Sequence, residues 1–359
     1  MNQLGLKGVD YVEVYAGNAI HAAHYYRAVF GFKPVGYAGP ETGVRDRVSF
    51  VLVQGEIRLV VTSAIDSDSP IADHLNLHGE GVKDIAFLVD DAEGAFNWAV
   101  KHSGRALSEP ASVEDANGRF VKAAITTFGD TVHSFIERKD YSGTFAPGYT
   151  ELRDPARAES VRLAAIDHFA VAVESGTLPH WVDYYKDVLD LDLTQQEDIS
   201  SDYSGMNTRV VRNDSGAAIF VFVEPVSGSR KSVIEEYLTY HRGAGVHHIA
   251  LQSEDITGTV RSLRSNGATF ASTPAAYYDT LRERVGPISE SISELREQSI
   301  LVDRDEWGYL MQIFVKPAQP RPTFFFEIIQ RMSARGFGNG NIKALYEAIE
   351  RDQVRRGNN

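Results

Sequence analysis

Three side chains that commonly bind metal ions lie within apolar, strand-like runs of this sequence, one in each run. Two are histidines and the third is a glutamate, and they follow one another at nearly equal intervals. Two histidines and one carboxylate form the ligand set of open non-haem Fe(II) sites, which leave coordination positions for substrate and O2. The sequence therefore predicts an Fe2+ centre held by His168 in residues 166–171, His248 in residues 247–251 and Glu327 in residues 323–329.

Each of these residues also has an ordinary structural explanation. A single histidine in an apolar strand is more often a hydrogen-bonded core residue than a ligand, and an alternating strand would let Glu327 face solvent. A carboxylate among phenylalanines and isoleucines is costly to bury unless it is paired or coordinated, which favours the metal. On a regular strand His247 is expected to face away from His248, while Asp167 either supports the adjacent histidine or is exposed.

Internal repetition predicts how these runs are positioned, because four segments of the chain resemble one another. The first and third begin with a strand-like run and continue into a helix-like stretch with a Tyr-Tyr pair, at residues 19–30 and 178–189. The second and fourth lead from glycines into an apolar run, then through an acidic turn into a helix. Short pieces rich in Val, Ile, Phe and Thr follow, so each unit is predicted as βαβββ and needs a partner to bury its sheet face.

The repeat divides the chain into two halves, predicted at residues 1–153 and 154–359 and joined within a Gly-, Pro- and charge-rich segment at 138–160. Overlaid on the second half, the first has Tyr11 in place of His168 and Asp84 in place of His248. We therefore expect an N-terminal half that is structural or interfacial, without metal ligands and available for a homodimer. Apolar residues at helical spacing predict a final helix over 341–356.

Composition and charge argue against several classes of function. The formal net charge of −13 disfavours a nucleic-acid partner, which calls for a basic protein face. The sequence has no apolar run of about 18 residues and no signal-peptide pattern at its start, so no membrane partner is expected. The absence of cysteine excludes disulfides and thiolate metal sites and fits a cytoplasmic protein. No nucleotide-binding glycine motif is convincing.

Five blocks of the sequence resemble a single family: residues 166–171, 245–251, 312–314, 321–330 and 336–350, the last reading GFGNGNIKALYEAIE. Through them the whole chain resembles the vicinal-oxygen-chelate superfamily, and within it the 4-hydroxyphenylpyruvate dioxygenases and 4-hydroxymandelate synthases. The resemblance implies an α+β fold of tandem βαβββ modules in two open barrels, with Fe2+ in the C-terminal barrel and the final helix as a lid. It implies the same three metal ligands and a substrate pocket that includes Gln312, Phe314, Phe325, Phe337 and Asn341.

The resemblance also implies the substrate 4-hydroxyphenylpyruvate, but it leaves two products. Both enzymes chelate the metal through the α-keto acid, consume O2 and release CO2. The dioxygenases then hydroxylate the ring and form homogentisate, whereas the synthases hydroxylate the benzylic carbon and form 4-hydroxymandelate. In either case Gln312 is expected to orient the keto acid or a nearby water, and Thr208, which replaces a Ser of both enzymes, to hydrogen-bond the polar end of the substrate.

Several positions depart from the dioxygenase pattern and predict the synthase. Ile342 stands where the dioxygenases carry Phe, and Tyr346 on the same helix also replaces Phe, both as in the synthases. Val221 and Val223 replace the Pro and Asn of a dioxygenase strand, and His247 replaces a Gln. The product is then chosen by where the substrate ring lies in the pocket, which is a matter of pocket shape.

Other interpretations of the same residues stay open. The departures are also compatible with packing changes in a dioxygenase that forms homogentisate. Because Val221 and Val223 remove polar partners for a phenol, a phenylpyruvate-type substrate without the hydroxyl is a further candidate. The same scaffold also carries extradiol ring-cleaving dioxygenases, which usually need a histidine base near the iron, and non-catalytic binding proteins of glyoxalase-like fold.

Overall fold

The computed structural model of the protein describes residues 3–153, 161–200, 205–228, 231–338 and 340–341. The elements of the first half are, in chain order, β1 (Leu6–Tyr15), α1 (Ala19–Phe30), β2 (Lys33–Ala38), β3 (Arg47–Gln54), β4 (Ile57–Ala64), α2 (Pro70–His78), β5 (Gly81–Val89), α3 (Ala92–Lys101), β6 (Arg105–Asp115), β7 (Gly118–Thr126), β8 (Val132–Tyr141) and β9 (Thr150–Glu151).

The second half repeats this order and adds three short helices before its last strands. Its elements are β10 (Leu163–Ala172), α4 (Leu178–Leu189), β11 (Asp192–Ser200), β12 (Gly205–Arg212), β13 (Ile219–Val226), α5 (Val233–His241), β14 (Gly245–Ser253), α6 (Ile256–Ser265), α7 (Ala276–Asp279), α8 (Leu281–Val285), α9 (Ile292–Gln298), β15 (Leu301–Arg304), β16 (Tyr309–Phe314) and β17 (Phe325–Met332).

Each half forms one curled sheet, and eight strands follow the same order in both, while β9 extends the first sheet beside β2. The first runs β6-β7-β8-β5-β1-β4-β3-β2-β9 and the second runs β15-β16-β17-β14-β10-β13-β12-β11. Strands β1 and β10 pair in parallel with β4 and β13, and antiparallel with β5 and β14. The predicted α+β fold of tandem βαβββ modules in two open barrels is therefore confirmed.

The first helix of each half ends where the predicted pattern ends. Asn18 caps α1 by accepting a hydrogen bond from the backbone N–H of His21, and Gly31 follows the helix with a φ of 73°. In the second half Asp190 takes the same left-handed conformation after α4, with a φ of 54°. The chain returns to the sheet directly after each helix, because the next strand begins within three residues of Gly31 and of Asp190.

The central strands carry the same irregularities in both halves. On β10, Asp167 is left over between the pairs Ile166–Leu251 and His168–Ala250, and on β14, His247 is left over between Ala170–His248 and Val171–Val246. Strand β1 has its extra residue at Asp10, and β5 at Lys83. Such β-bulges shift the following side chains to a new face, and they are frequent beside active sites.

One apolar core runs through both halves, and buried aromatic residues cross the boundary between them. The hydroxyl of Tyr185 on α4 donates to His133 Nε2 on β8 at 2.6 Å, while His133 Nδ1 donates to the carbonyl of Ile85 at 3.0 Å. Burial lowers the pKa of His133 to about 4, so this histidine is neutral at physiological pH. Phe326 on β17 packs against Tyr26 and Phe30 of α1, which ties the second sheet to the first helix.

Two sequence predictions concern residues that the structure does not describe in full. Residues 154–160 of the expected linker lie outside the described ranges, and so does the final helix beyond residue 341. The domain limits at 1–153 and 154–359, and the lid role of residues 341–356, therefore stay predictions. Among the described residues, no helix is long and apolar enough to cross a membrane.

We expect Gly55→Ala and Gly129→Ala each to lower the free energy of unfolding by about 3 kcal/mol, because each disturbs the packing between the halves. Both glycines have positive φ (56° and 53°), and an added Cβ would lie 2.3 Å from the carbonyl oxygen of Ala164 and 2.2 Å from that of Ala244, respectively. Gly176→Ala is the control, because it has a φ of 80° but open space, and it should cost about 1 kcal/mol. Denaturant unfolding measures the three values, and equal losses would contradict the steric argument.

Candidate metal centre and its cavity

The three residues predicted as metal ligands lie on adjacent central strands and converge inside the second barrel. Glu327 on β17 pairs with Ala250 of β14, which in turn pairs with His168 of β10. His248 pairs with Ala170, two residues farther along both strands. Glu327 Oε2 lies 3.2 Å from His248 Nε2 and 3.6 Å from His168 Nε2. Two atoms that bind one metal at right angles and about 2.1 Å are roughly 3 Å apart, so the spacing suits a shared ion.

The electrostatics of this cluster also suit a cation. Glu327 is 1% exposed, and burial raises its pKa to about 7 although His168 opposes the change. Burial and the neighbouring His168 hold the pKa of His248 well below its usual value, so its imidazole is neutral. The carboxylate is therefore buried beside imidazole rings, and a divalent ion would supply the charge that stabilises its ionised form.

Asp167 orients the first histidine. Its Oδ1 lies 2.8 Å from His168 Nδ1, and Arg331 holds the carboxylate with two hydrogen bonds of 2.7 and 2.8 Å. Burial alone would raise the pKa of Asp167, but the hydrogen bonds from Arg331 and His168 outweigh it and lower the pKa. An ionised carboxylate accepts a hydrogen bond from Nδ1–H and leaves the Nε2 lone pair of His168 facing Glu327, an arrangement typical of metal-binding histidines.

His247 orients the second histidine, and the prediction that it faces away was wrong. Its Nδ1 lies 3.2 Å from His248 Nδ1, and both rings border the same cavity. The physical reason is the β-bulge, which leaves His247 unpaired and places neighbouring side chains on one face. With His248 Nε2 facing Glu327, its Nδ1–H donates to His247 Nδ1.

Gln312 and Asn341 form a buried amide pair behind the glutamate. Gln312 Nε2 donates to Glu327 Oε1 at 3.2 Å, and its side-chain oxygen lies 3.2 Å from the Asn341 amide. Asn341 in turn contacts the hydroxyl of Tyr277 at 2.6 Å. The predicted Gln312 thus holds the carboxylate in place, and Asn341 acts through Gln312 and does not line the cavity.

A largely apolar cavity opens from the three converging side chains, with an empty volume of about 580 Å³ including its mouth. Of the predicted pocket residues, it is lined by Gln312, Phe314, Thr208, Val221, Val223 and Phe337. Phe325 lies beside the cavity, where its ring stacks on His248 with centroids 5.0 Å apart. Thr208 Oγ1 is buried and has no hydrogen-bond partner among the described residues, so it is available to a ligand.

Some lining residues were not predicted. Met206 and Ala170 come from strands β12 and β10, and Val233 and Ile234 come from the first turn of α5. Ser232 fixes that turn by a capping box with Glu235, a signature that the sequence does show. Nothing in the sequence indicated that the turn faces the metal centre, because its position follows from the curl of the sheet.

Two predicted residues, Ile342 and Tyr346, lie outside the described part of the chain. Their roles in selecting the product stay predictions. The described chain leading to them passes the cavity at Phe337, whose ring lies 5.0 Å from that of His168 at an interplanar angle of 90°. This contact brings the segment before the expected lid to the metal side of the cavity.

The first barrel has a different polar cluster at the equivalent positions. Strand register places Tyr11 where His168 lies, Asp84 where His248 lies, Ser134 where Glu327 lies and Lys122 where Gln312 lies. Lys122 Nζ donates to the Tyr11 hydroxyl at 2.7 Å and to Asp84 Oδ2 at 3.2 Å, and Ser134 Oγ donates to Asp84 at 2.6 Å. The ammonium group of Lys122 therefore lies beside the buried carboxylate of Asp84.

We expect Lys122→Met to destabilise the protein by about 2 kcal/mol, because it leaves the buried carboxylate of Asp84 without its cation. The loss is smaller than for a fully buried pair, since Lys122 keeps 39% of its side-chain surface exposed. The double variant Lys122→Met/Asp84→Asn should recover part of the loss. Urea unfolding of the single and double variants measures the coupling, and strictly additive effects would contradict it.

Two family models match this sequence. Residues 1–146 match the model described as "Hydroxyphenylpyruvate dioxygenase, HPPD, N-terminal". Residues 165–313 match the model described as "Glyoxalase/Bleomycin resistance protein/Dioxygenase superfamily". The two matches fall on the two sheets, and the second contains His168, His248 and Gln312.

Similar proteins and a similar solved structure extend over nearly the whole chain. A 4-hydroxyphenylpyruvate dioxygenase of Yarrowia lipolytica is 40% identical over 98% of this chain and 93% of its own length. One of Dictyostelium discoideum is 40% identical over 98% of this chain and 100% of its own length. A solved structure of a triple mutant of 4-hydroxymandelate synthase from Streptomyces coelicolor is 38% identical, with a TM-score of 0.87, and the match covers 97% of this chain and 99% of that one.

Proposed function

The chain belongs to the family of 4-hydroxyphenylpyruvate dioxygenases and 4-hydroxymandelate synthases, within the vicinal-oxygen-chelate superfamily, and on that premise we propose that it is an Fe2+-dependent oxygenase of 4-hydroxyphenylpyruvate. The observation that carries the proposal is the convergence of His168, His248 and Glu327 at the wall of an apolar cavity. Three protein ligands leave positions on an octahedral ion for a chelating α-keto acid and O2.

The donor set fits iron(II). Imidazole nitrogens and a carboxylate suit this ion, and the chain has no thiolate to favour a softer one. When bound, Fe2+ supplies the Lewis acidity that holds the keto acid and the electrons that begin the reduction of O2. The reaction converts the keto acid and O2 to CO2 and a hydroxylated aryl acid, so the substrate itself provides the remaining electrons.

The protein positions the reacting groups and keeps water away from them. Asp167 and His247 hold the two histidines with their Nε2 lone pairs toward the metal position, and Gln312 holds the carboxylate of Glu327. The rings of Phe314 and Phe337 form apolar walls close to this position, which excludes water from a reactive centre. The substrate would therefore be bound by its keto acid at one end and by apolar contacts along its ring.

Homogentisate is the first candidate product. The curated relatives described above are 4-hydroxyphenylpyruvate dioxygenases at 40% identity, and the model that matches the first half carries the same name. This support favours the dioxygenase over the synthase that the sequence departures predicted. In that case Val221 and Val223 would change the lining of the cavity wall, and the reaction would remain that of the dioxygenases.

4-Hydroxymandelate is the second candidate, and a specific feature of the pocket favours it. Val221 and Val223 both line the cavity, and Val223 pairs with Thr208 across the β12–β13 ladder. At this point the wall offers the buried Thr208 hydroxyl and lacks the side-chain amide of the dioxygenase Asn that Val223 replaces. This difference would change where the phenol end lies and so which carbon is attacked. The similar structure of a synthase mutant is consistent with this candidate.

Purified protein with Fe2+, ascorbate, O2 and 4-hydroxyphenylpyruvate should consume O2 and release CO2 in equal amounts. The two candidate products are isomers, so they must be separated by chromatography against authentic standards and not by mass alone. Homogentisate as the main product supports the first candidate, and 4-hydroxymandelate supports the second. Val223→Asn should raise the homogentisate fraction if the wall selects the product, whereas Val223→Ile, which keeps the wall apolar, should not.

His168→Ala should abolish O2 uptake, and the exposed His180→Ala is the matched control that should retain it. No O2 uptake with 4-hydroxyphenylpyruvate or with phenylpyruvate would contradict the proposal. In that case ligand binding that is unchanged in His168→Ala would support a non-catalytic binding protein. Ring cleavage of a catechol would instead support an extradiol enzyme.

Metal affinity should depend on pH because of Glu327. Its pKa of about 7 means that the metal-free site holds a proton on this carboxyl at lower pH, and a metal ion must displace that proton. We expect the association constant for Fe2+, measured by anaerobic calorimetry, to fall about tenfold for each pH unit below about 7 and to level off above it.

Glu327→Gln tests the assignment of this pH dependence. The variant should bind Fe2+ more weakly and lose the slope between about pH 5.5 and 7, because the titrating group is gone. Glu297→Gln, at an exposed position of α9, should behave like the unchanged protein. The same slope in Glu327→Gln would show that another group competes with the metal.

A further inference from the structure

A second group of metal-binding side chains lies in the N-terminal half, away from the cavity. Two histidines of α2 are four residues apart and share one face of the helix, and Asp130 reaches them from the turn between β7 and β8. One ligand atom of each residue lies within 4.8 Å of the others. We propose that His74, His78 and Asp130 bind a second divalent metal ion of the Zn2+ class, independent of the proposed iron centre.

The hydrogen bonds of His78 are those of a metal ligand. Its Nδ1 lies 2.6 Å from the carbonyl oxygen of His241, and because a carbonyl only accepts, Nδ1 carries the proton. In the neutral ring the Nε2 lone pair then faces Asp130 Oδ2 at 2.8 Å. Two lone pairs at this distance require a cation, and a backbone carbonyl that fixes the tautomer is the usual support for a metal-bound histidine.

His74 decides between a proton and a metal ion as that cation. The residue is 7% exposed, and its Nε2 is buried without a hydrogen-bond partner among the described residues. A proton on His78 Nε2 would satisfy His78 and Asp130 but would leave His74 unsatisfied. A divalent ion satisfies all three residues, so the unpartnered nitrogen points to a metal.

The turn that carries Asp130 is anchored beside the two histidines. Lys83 donates to the backbone carbonyl of Asp130 and anchors the turn that carries the carboxylate. Two ligand atoms at about 2.1 Å from a tetrahedral ion are roughly 3.4 Å apart. Because the three ligand atoms lie within 4.8 Å of one another, shifts of about 1.4 Å or less would bring them onto one ion.

The ligand types indicate the class of ion. Two imidazoles and one carboxylate, with an open position for water, suit Zn2+ and neighbouring first-row ions such as Co2+. They do not suit Ca2+ or Mg2+, which prefer oxygen ligands throughout. Because only Asp130 is well exposed, with 58% of its side chain accessible, the ion would enter from the side of the β7–β8 turn.

A metal ion at this position would reinforce the contact between the halves. It would join α2 to the β7–β8 turn, and through His78 it would hold the end of α5, where the rings of His78 and His241 stack with centroids 4.4 Å apart. Arg321 of the second half also donates to two carbonyls at the end of α2, at 2.7 and 3.0 Å. The expected role is therefore structural, with an effect on thermal stability.

Metal stoichiometry of the full-length protein tests the proposal. Metal-free protein is incubated with Zn2+, desalted and analysed for zinc, and it should retain about two ions per chain, one at each centre. Asp130→Asn and His74→Leu should each lose one ion, and Glu327→Gln should lose the other. His21→Ala, at an exposed position of α1, is the matched control and should keep both.

Zn2+ should also raise the Tm of Glu327→Gln by several degrees but leave that of Asp130→Asn/Glu327→Gln unchanged, because only the first retains the second site. Asp130 is exposed, so its variant decides the matter even if His74→Leu fails to fold. A single ion that is lost in Glu327→Gln and kept in Asp130→Asn would overturn this site and leave the proposed oxygenase intact. An ion that persists in Glu327→Gln and is lost in Asp130→Asn would support it, whatever the O2 uptake.

Discussion

A buried carboxylate near the centre of each barrel must be balanced by a cation. In the second barrel this carboxylate is Glu327, whose pKa is raised by burial and whose neighbours are imidazoles and an amide. In the first barrel it is Asp84, and the ammonium group of Lys122 lies 3.2 Å away at the position equivalent to Gln312. Lys122 therefore balances the carboxylate of the first barrel, whereas the carboxylate of the second barrel would be balanced by the proposed metal ion.

The same constraint explains why the strands beside the centre are irregular. A metal-bound histidine needs a partner for its other nitrogen, and on a regular strand the preceding residue would face the opposite side of the sheet. The bulges at Asp167 and His247 bring these partners to the histidines that follow them. The first barrel keeps both bulges, and at one of them Asp10 binds Arg58 and Arg138. The bulges are therefore a feature of the repeat, and in the second barrel they place the partners of the two histidines.

The end of α5 links the boundary between the halves to the metal centre. The ring of Tyr237 stacks on His241, with centroids 5.0 Å apart, and packs edge-on against His247 at 5.3 Å. The first turn of this helix supplies Val233 and Ile234 to the cavity wall. The proposed second metal site would therefore hold the helix that forms one side of the cavity, and the rigidity of that wall depends on contacts made by the N-terminal half.

The sequence alone determined the type of fold and the three converging side chains. The repeat of strand and helix patterns is local information, since periodicity and capping residues decide where elements begin and end. His168 and His248 could be selected because they interrupt apolar runs at equivalent places of that repeat. Glu327 could be selected because a carboxylate within an apolar run is costly to bury unless it is paired or coordinated.

Only the tertiary structure decided which groups support those side chains. The contact of His247 with His248 depends on one unpaired residue in a ladder, and the positions of Lys122, Val233 and Arg331 depend on how distant strands curl together. The pairing of His74 and His78 with Asp130 likewise joins a helix to a turn far along the chain. Such contacts follow from the path of the backbone in space, and a single sequence carries no local signal for them.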